Sequence, residues 1–145
     1  MIYLGADKHG FKTLKIVENY LTLKNIKFTS LGVTSDGQDM KLEDLIPKVT
    51  KKILESQDNK GVLICGTGIG VAVGANKIKG IRANLATDKI IAEWSVVYDN
   101  CNVLCLTGWK PNKKVIEEIL CSFLNAKYDG SEKRLQMMKA FDTWR

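Results

Sequence analysis

Residues 61–70 read Gly-Val-Leu-Ile-Cys-Gly-Thr-Gly-Ile-Gly, and this stretch constrains the fold more than any other. The short apolar run from Gly61 to Ile64 is the pattern of a buried strand. It passes without a spacer into Cys65 and then into glycines at alternate positions, Gly66, Gly68 and Gly70. Glycine tolerates positive φ and leaves no side chain to block a ligand's approach to the backbone. Successive N–H groups in such a turn can cradle an anion, more so where a helix begins. Val71–Lys77 reads as that helix. Cys65 and Thr67 are the reactive side chains of the motif, so a thiol stands beside an anion cradle.

The rest of the chain alternates strand and helix patterns around this unit. Strands are expected at 1–5, 28–31, 61–64, 81–86 and 102–106. Helices are expected at 11–24 (Leu14, Val17, Leu21 at near-helical spacing), 45–54 (Leu45, Val49, Ile53), 71–77, 89–97, 115–124 and after Gly130. Residues 32–41, rich in Thr, Ser, Asp and Gly, read as a loop. Alternation of this kind predicts one domain over residues 1–145, an α/β Rossmann-like three-layer α/β/α fold with a mostly parallel sheet. Ligands in open sheets bind outside the carboxyl ends of the strands. That selects the turns at 6–10, 65–70 and 107–111. Tyr98-Asp99-Asn100-Cys101 precedes a strand, so it needs a partner chain or a loop to reach such a site.

Composition narrows the function classes. No apolar run approaches the roughly 20 residues that span a bilayer, and the start lacks a charged segment followed by an apolar one, so the expected compartment is the cytoplasm. The net charge of +6 comes from basic residues scattered among 16 acidic ones. No basic run interleaved with aromatics signals nucleic acid; a small anionic substrate accounts for the charge equally well. The four cysteines (Cys65, Cys101, Cys105, Cys121) form no C-x-x-C pair, and His9 is the sole histidine, which leaves few metal ligands. Cys101, Cys105 and Cys121 lie in or beside apolar runs and read as small core residues; Cys65 stands apart at the strand–turn junction.

Two rival readings of the glycine turn are incomplete. The full dinucleotide fingerprint needs a further glycine or alanine at the G-x-G-x-x-G spacing, and Val71 stands there. Asp88, about 20 residues on, is a weak match to its ribose-binding acid. A Walker loop would require G-K-[ST], which does not follow. A tight turn with a merely buried cysteine is the bland alternative.

The chain resembles the ribose-5-phosphate isomerase type B and galactose-6-phosphate isomerase family. The resemblance is carried by Gly5-Ala-Asp-Lys-His-Gly-Phe11, Ile64-Cys-Gly-Thr-Gly-Ile-Gly70, Ala75-Asn-Lys77, Gly80-Ile-Arg-Ala83, Asn102-Val-Leu104 and Tyr128-Asp-Gly130, in order along nearly the whole chain. It implies a Rossmann-like dimer or higher oligomer, with a site shared between subunits. It implies interconversion of aldose and ketose phosphates without metal or organic cofactor. It also implies a thiolate at Cys65 that moves a proton between adjacent carbons, and an enediolate oxygen held by the N–H groups of Gly66, Thr67, Gly68, Ile69 and Gly70. Thr67 is implied in ring opening or in anchoring a hydroxyl, and Asp7 in contacting the sugar's ring oxygen or hydroxyls.

The departures from the family fall at the site. Lys8 follows Asp7 where the ribose type has histidine, which leans toward the galactose type; His9 is one position on and is a candidate substrate contact. The family's ring-opening His-Asn falls at Tyr98-Asp99, with Asn100 one residue along. A phenol donates a hydrogen bond but is a poor base at neutral pH. The family's phosphate arginines, which reach the partner subunit's site, fall at Trp109, Glu132 and Gln136. Lys110, Lys133 and Arg134 lie close by as replacements, and lysine binds phosphate as a point charge without arginine's fork. The expected function is an aldose–ketose isomerase acting on ribose 5-phosphate or a hexose 6-phosphate. The alternative is a sugar-phosphate-binding paralogue or partner subunit with altered catalysis.

Overall fold

The computed structural model describes residues 1–144. The order is β1 (Ile2–Ala6), α1 (Phe11–Leu23), β2 (Phe28–Ser30), α2 (Leu42–Ile53), β3 (Lys60–Cys65), α3 (Ile69–Ala75), β4 (Ala83–Leu85), α4 (Lys89–Asp99), β5 (Val103–Thr107), α5 (Lys113–Asn125) and α6 (Glu132–Phe141), with 3-10 turns at Lys8–Gly10 and Asp142–Trp144. The five strands form one sheet in the order β2-β1-β3-β5-β4. Every pairing is parallel, so the expected three-layer α/β/α architecture is present.

Strand side chains alternate between faces, and each face buries its own core. Val62 and Ile64 of β3 point to one side, among Leu14, Val17 and Leu21 of α1 and Ile116, Leu120 and Phe123 of α5. Leu63 and Cys65 point to the other, among Leu45, Val49 and Ile53 of α2 and Val71 of α3. A strand covered on both faces must be apolar throughout, which is why residues 62–64 show no polar alternation.

Differences from the expected boundaries have local causes. Helix α2 begins at Leu42, earlier than its apolar period, with Glu43 and Asp44 in its first turn, where carboxylates suit the positive end of the helix dipole. Strand β4 is shorter than residues 81–86 because side chains replace the ladder at its start. Asn76 donates to Ala83 O (2.8 Å) and accepts from Ala83 N (2.9 Å). Asn102 accepts from Arg82 N (2.9 Å) and donates to Gly80 O (3.0 Å). The Ala-Asn-Lys, Gly-Ile-Arg-Ala and Asn-Val-Leu motifs thus meet as one brace.

Cys121 corrects an expectation. Cys101 and Cys105 are buried, but Cys121 is exposed, because α5 turns Ile116, Ile119, Leu120 and Phe123 inward and leaves Cys121 off that stripe. Burial pushes the Cys101 thiol up to about 11, with Asp99 adding to it; burial, with Cys65 and Cys101 nearby, also raises Cys105. A raised thiol stabilises the fold fully below its unfolded value of about 8.5 and loses that contribution as pH rises through the folded value. The urea midpoint is therefore expected to fall between about pH 8.5 and 11, and Cys101→Ala to flatten that fall. An unchanged slope in the variant would remove Cys101 as a source.

Candidate active site

In the order β2-β1-β3-β5-β4 the chain winds one way from β1 and the other way from β3. The crevice of such a sheet opens where the winding reverses, outside the carboxyl ends of the two strands. Asp7 follows β1 there, and Cys65 ends β3. Asp7 N donates to Ile64 O (3.2 Å), which joins the two ends directly.

The Cys65 side chain is buried and its sulfur lies over the glycine turn: a Cβ added at Gly70 would stand 3.8 Å from Sγ. The turn itself is held from the β5 side. The Gly66 carbonyl accepts from Gly108 N (3.1 Å), Trp109 N (3.0 Å) and Thr107 Oγ1 (2.8 Å). With three donors on that oxygen, the Gly66–Thr67 peptide plane is fixed. In a trans peptide the N–H points opposite to the C=O, so the Thr67 amide is turned away from residues 107–109. Gly68 takes φ +77°, and α3 begins from it. Ile69 N donates to Thr67 Oγ1 (3.1 Å). The amides of Gly68, Gly70 and Val71 have no hydrogen-bond partner among the described residues. A thiol, a hydroxyl and free backbone donors therefore share the seven residues 65–71.

Asp7 caps the 3-10 turn that follows β1. Its Oδ1 accepts from His9 N and Gly10 N, both at 2.9 Å. The carboxylate is nearly buried, and its Oδ2 carries no protein hydrogen bond among the described residues. Lys8 pairs with Asp39 at 3.0 Å, which fastens this turn to the 34–41 loop and draws the Asp39 carboxyl down. His9 meets the edge of Trp109, with ring centroids 6.0 Å apart. Lys8, His9, Trp109 and Lys110 line one cleft of ≈ 570 Å³. Thr67 and Lys110 line a smaller cavity of ≈ 290 Å³ on the other side of residue 110.

A second cluster lies at the opposite, amino-terminal end of the strands. Helix α4 starts after β4 and runs back, so Tyr98, Asp99 and Asn100 stand before the first residue of β5. Cys65 pairs in register with Thr107, the last. At about 3.3 Å per residue, the five residues of β5 separate the two ends by roughly 13 Å. Arg134 joins this cluster: its guanidinium lies 5.0 Å from the Tyr98 ring centroid and 3.3 Å from Asp99 Oδ1. Asp129 N donates to Val97 O (3.0 Å), so the Tyr-Asp-Gly turn docks α6, with Lys133 and Arg134 in its first turn, onto α4. Asn100 is the left-handed cap of α4 (φ 50°), and its carbonyl accepts from Arg82 Nε (2.6 Å). Within one chain, then, Asp7, Lys8, His9, Cys65, Thr67, Gly66, Gly68, Ile69, Gly70 and Lys110 converge. Tyr98, Asp99, Asn100, Lys133 and Arg134 do not join them.

Sequence reasoning passed over Trp109 and Thr107 as builders of the site. A Cβ at Gly66 would meet Trp109 Cε2 at 2.6 Å and Cζ2 at 2.8 Å, so the first glycine of the motif exists to seat an indole. The local signal was the Thr-Gly-Trp-Lys-Pro turn, whose position beside Gly66 depends on strand pairing.

A parallel sheet with a thiol and unpartnered amides at its switch point defines an α/β protein whose turn has the chemistry to accept a small anionic or carbonyl-bearing group. The chain belongs to the ribose/galactose isomerase family of sugar-phosphate isomerases, whose model matches residues 2–139. It is similar to the structure of a ribose 5-phosphate isomerase from Thermotoga maritima, with a TM-score of 0.91, 29% identity and coverage of 98% of this chain and 97% of that one. It is also similar to ribose-5-phosphate isomerase B of Mycoplasma genitalium with bound ribulose 5-phosphate, with a TM-score of 0.88, 30% identity and coverage of 99% and 95%. A 4-deoxy-4-sulfo-D-erythrose isomerase of a Clostridium species is 32% identical over 108 residues, 74% of this chain and 68% of that protein. Among the described residues no helix is long and apolar enough to cross a membrane.

Proposed function

We propose that the protein interconverts a phosphorylated aldose and its ketose through a cis-enediolate, with Cys65 as the base. Ribose 5-phosphate/ribulose 5-phosphate and a hexose 6-phosphate pair are the candidate substrates. The observation that carries this reading is the Cys65 sulfur beside Gly70, on a turn whose Gly68, Gly70 and Val71 amides are free. In the reaction the Cys65 thiolate takes the proton from the carbon beside the carbonyl and returns it to the carbonyl carbon. The oxygen that becomes negative lies toward the free amides, which stabilise charge where it develops. Thr67 Oγ1 stands one residue from the turn's centre and anchors a sugar hydroxyl or assists ring opening. Asp7 Oδ2 is the acceptor for another hydroxyl, while Oδ1 keeps the carboxylate in place. His9, Lys8 and Lys110 face the anionic end.

The remaining candidates act from a second copy of the chain in a homodimer. Helix α4 supports this: Ile91, Trp94 and Tyr98 recur at helical spacing and are 39%, 51% and 41% exposed. This apolar stripe leads directly to Tyr98, Asp99 and Arg134. A second copy docked there brings Tyr98 and Asp99 to ring opening and Lys133 to the anion, while Arg134 stays on Tyr98 and Asp99 and holds them in place.

The test is incubation in deuterated water with a panel of pentose 5-phosphates, hexose 6-phosphates and a sulfonated tetrose, the last because of the Clostridium relative. Isomerisation washes deuterium into the carbon beside the carbonyl. Exchange with none of them would end the isomerase reading for these substrates. It would favour instead a sugar-phosphate-binding paralogue, which the absence of arginine at positions 109, 132 and 136 already makes the second reading.

A further inference from the structure

The position that the family gives to a phosphate-binding arginine holds an indole here, and the structure shows that indole built into the site. Its backbone N–H donates to Gly66 O, its Nε1–Cε2–Cζ2 edge fills the space a Cβ at Gly66 would need, and His9 abuts its ring. Trp109 is nonetheless 56% exposed. It stands between the Cys65 turn on one side and the ≈ 570 Å³ cleft on the other. That cleft carries three ammonium groups, on Lys8, Lys12 and Lys110, against the Asp36 carboxylate that lines it and the Asp39 carboxylate that pairs with Lys8. Lys110 is held at φ 52°, a left-handed conformation that a non-glycine residue adopts at a cost. Neither described arginine of the chain lines the cleft: Arg82 and Arg134 are bound at the far end of the strands, on Asn100 and Asp99.

We propose, resting on the isomerase reading above, that Trp109 is the specificity-determining residue. The sugar's carbon chain lies along the indole with its reacting carbons at Cys65, and its terminal oxyanion is held in the cleft by Lys8, Lys12 and Lys110. Apolar C–H surface leaves water against the indole, which a guanidinium at this position would not provide. An ammonium is a point charge and does not read the oxygen geometry of its partner as a guanidinium fork does. The fitting substrate class is a short aldose ending in a tetrahedral oxyanion, with weak discrimination between phosphate and sulfonate.

Two measurements on the intact protein test this. The first is tryptophan fluorescence titrated with ribose 5-phosphate and with a 4-sulfonated tetrose. Both are expected to change the signal, and Trp109→Phe to remove that change although Trp94 and Trp144 remain. A response that persists in Trp109→Phe overturns the proposal. The second is steady-state kinetics on the same two substrates. Wild type is expected to show kcat/KM values within about tenfold of each other. Lys12→Ala and Lys110→Ala are each expected to raise KM about tenfold with kcat little changed, the sign of lost uniform binding. Trp109→Arg is expected to shift the preference toward phosphate by about tenfold. An unchanged phosphate-to-sulfonate ratio in Trp109→Arg, or unchanged KM in both lysine variants, overturns it. Deuterium exchange by wild type reports separately on the isomerase reading. Exchange with a failed Trp109 result sinks only this inference, and a Trp109 response without exchange sinks only the chemistry.

Discussion

Cys65→Ala is expected to slow deuterium exchange into the best substrate by about 10²- to 10⁴-fold, the range that a positioned general base supplies. The binding response to that substrate should survive, because the free amides of Gly68, Gly70 and Val71 and the lysines of the neighbouring cleft do not depend on the sulfur. The variant removes one buried atom from the core shared by α2, α3 and β3, so unfolding should change by about 1 kcal/mol. That combination of lost exchange, retained binding and near-native stability separates a base from a packing residue. Exchange at the wild-type rate would take the base role away from Cys65. Unaltered exchange together with reduced stability would return it to the ordinary standing of a buried thiol.

Gly68→Ala carries the largest effect expected of a change that removes no functional group. Two costs add. The residue sits at φ +77°, which a side chain adopts at about 1–2 kcal/mol. An added Cβ would lie 2.6 Å from Leu85 Cδ1 and 2.9 Å from the backbone C and O of Leu106. Leu85 can swing aside, but the β5 backbone cannot, and overpacking of this kind costs about 1–3 kcal/mol. The sum is about 2–5 kcal/mol, a loss on the order of 10 °C in Tm for a chain of this length. Gly37→Ala is the control: its φ is +80° but nothing lies within 4 Å of the added atom, so only the conformational cost applies. Equal Tm losses in the two variants would mean that the β5 backbone does not brace the turn. Gly68→Ala should also lower turnover, since shifting the turn moves the amides that would face the developing oxyanion, each worth about 10²–10³ in rate where such donors have been removed.

Both expectations concern a site whose parts were unequally visible in the sequence. The Cys65–Gly70 turn was legible because all of it is local. A buried strand, a thiol and three glycines lie within ten residues, and each has a backbone or chemical reason to stand where it does. Asp7 was legible as a polar residue after the first strand. Its capping bonds to His9 and Gly10 were not singled out, although they lie within three residues. Cys121 was misplaced because hydrophobicity along a helix does not by itself say which positions face inward; the docking of α5 on the sheet leaves that cysteine outside.

Trp109 and Tyr98 mark the real boundary. Nothing near residue 109 in the chain says that its indole will rest on Gly66, because that contact is made by the pairing of β3 with β5. That Tyr98 precedes a strand, and so stands a strand's length from Cys65, was legible in the sequence; that Arg134 packs against it was not, because that contact follows from the docking of α6 on α4. Periodicity and turn chemistry act over a few residues, so the chain's order of strands and helices, its thiol and its anion-binding turn were determined by the sequence as read. Strand order, register and helix docking act between residues far apart. They alone decided that an indole packs against the residue after the thiol and borders a cleft of lysines, and that arginine joins the tyrosine and aspartate at the other end of the strands.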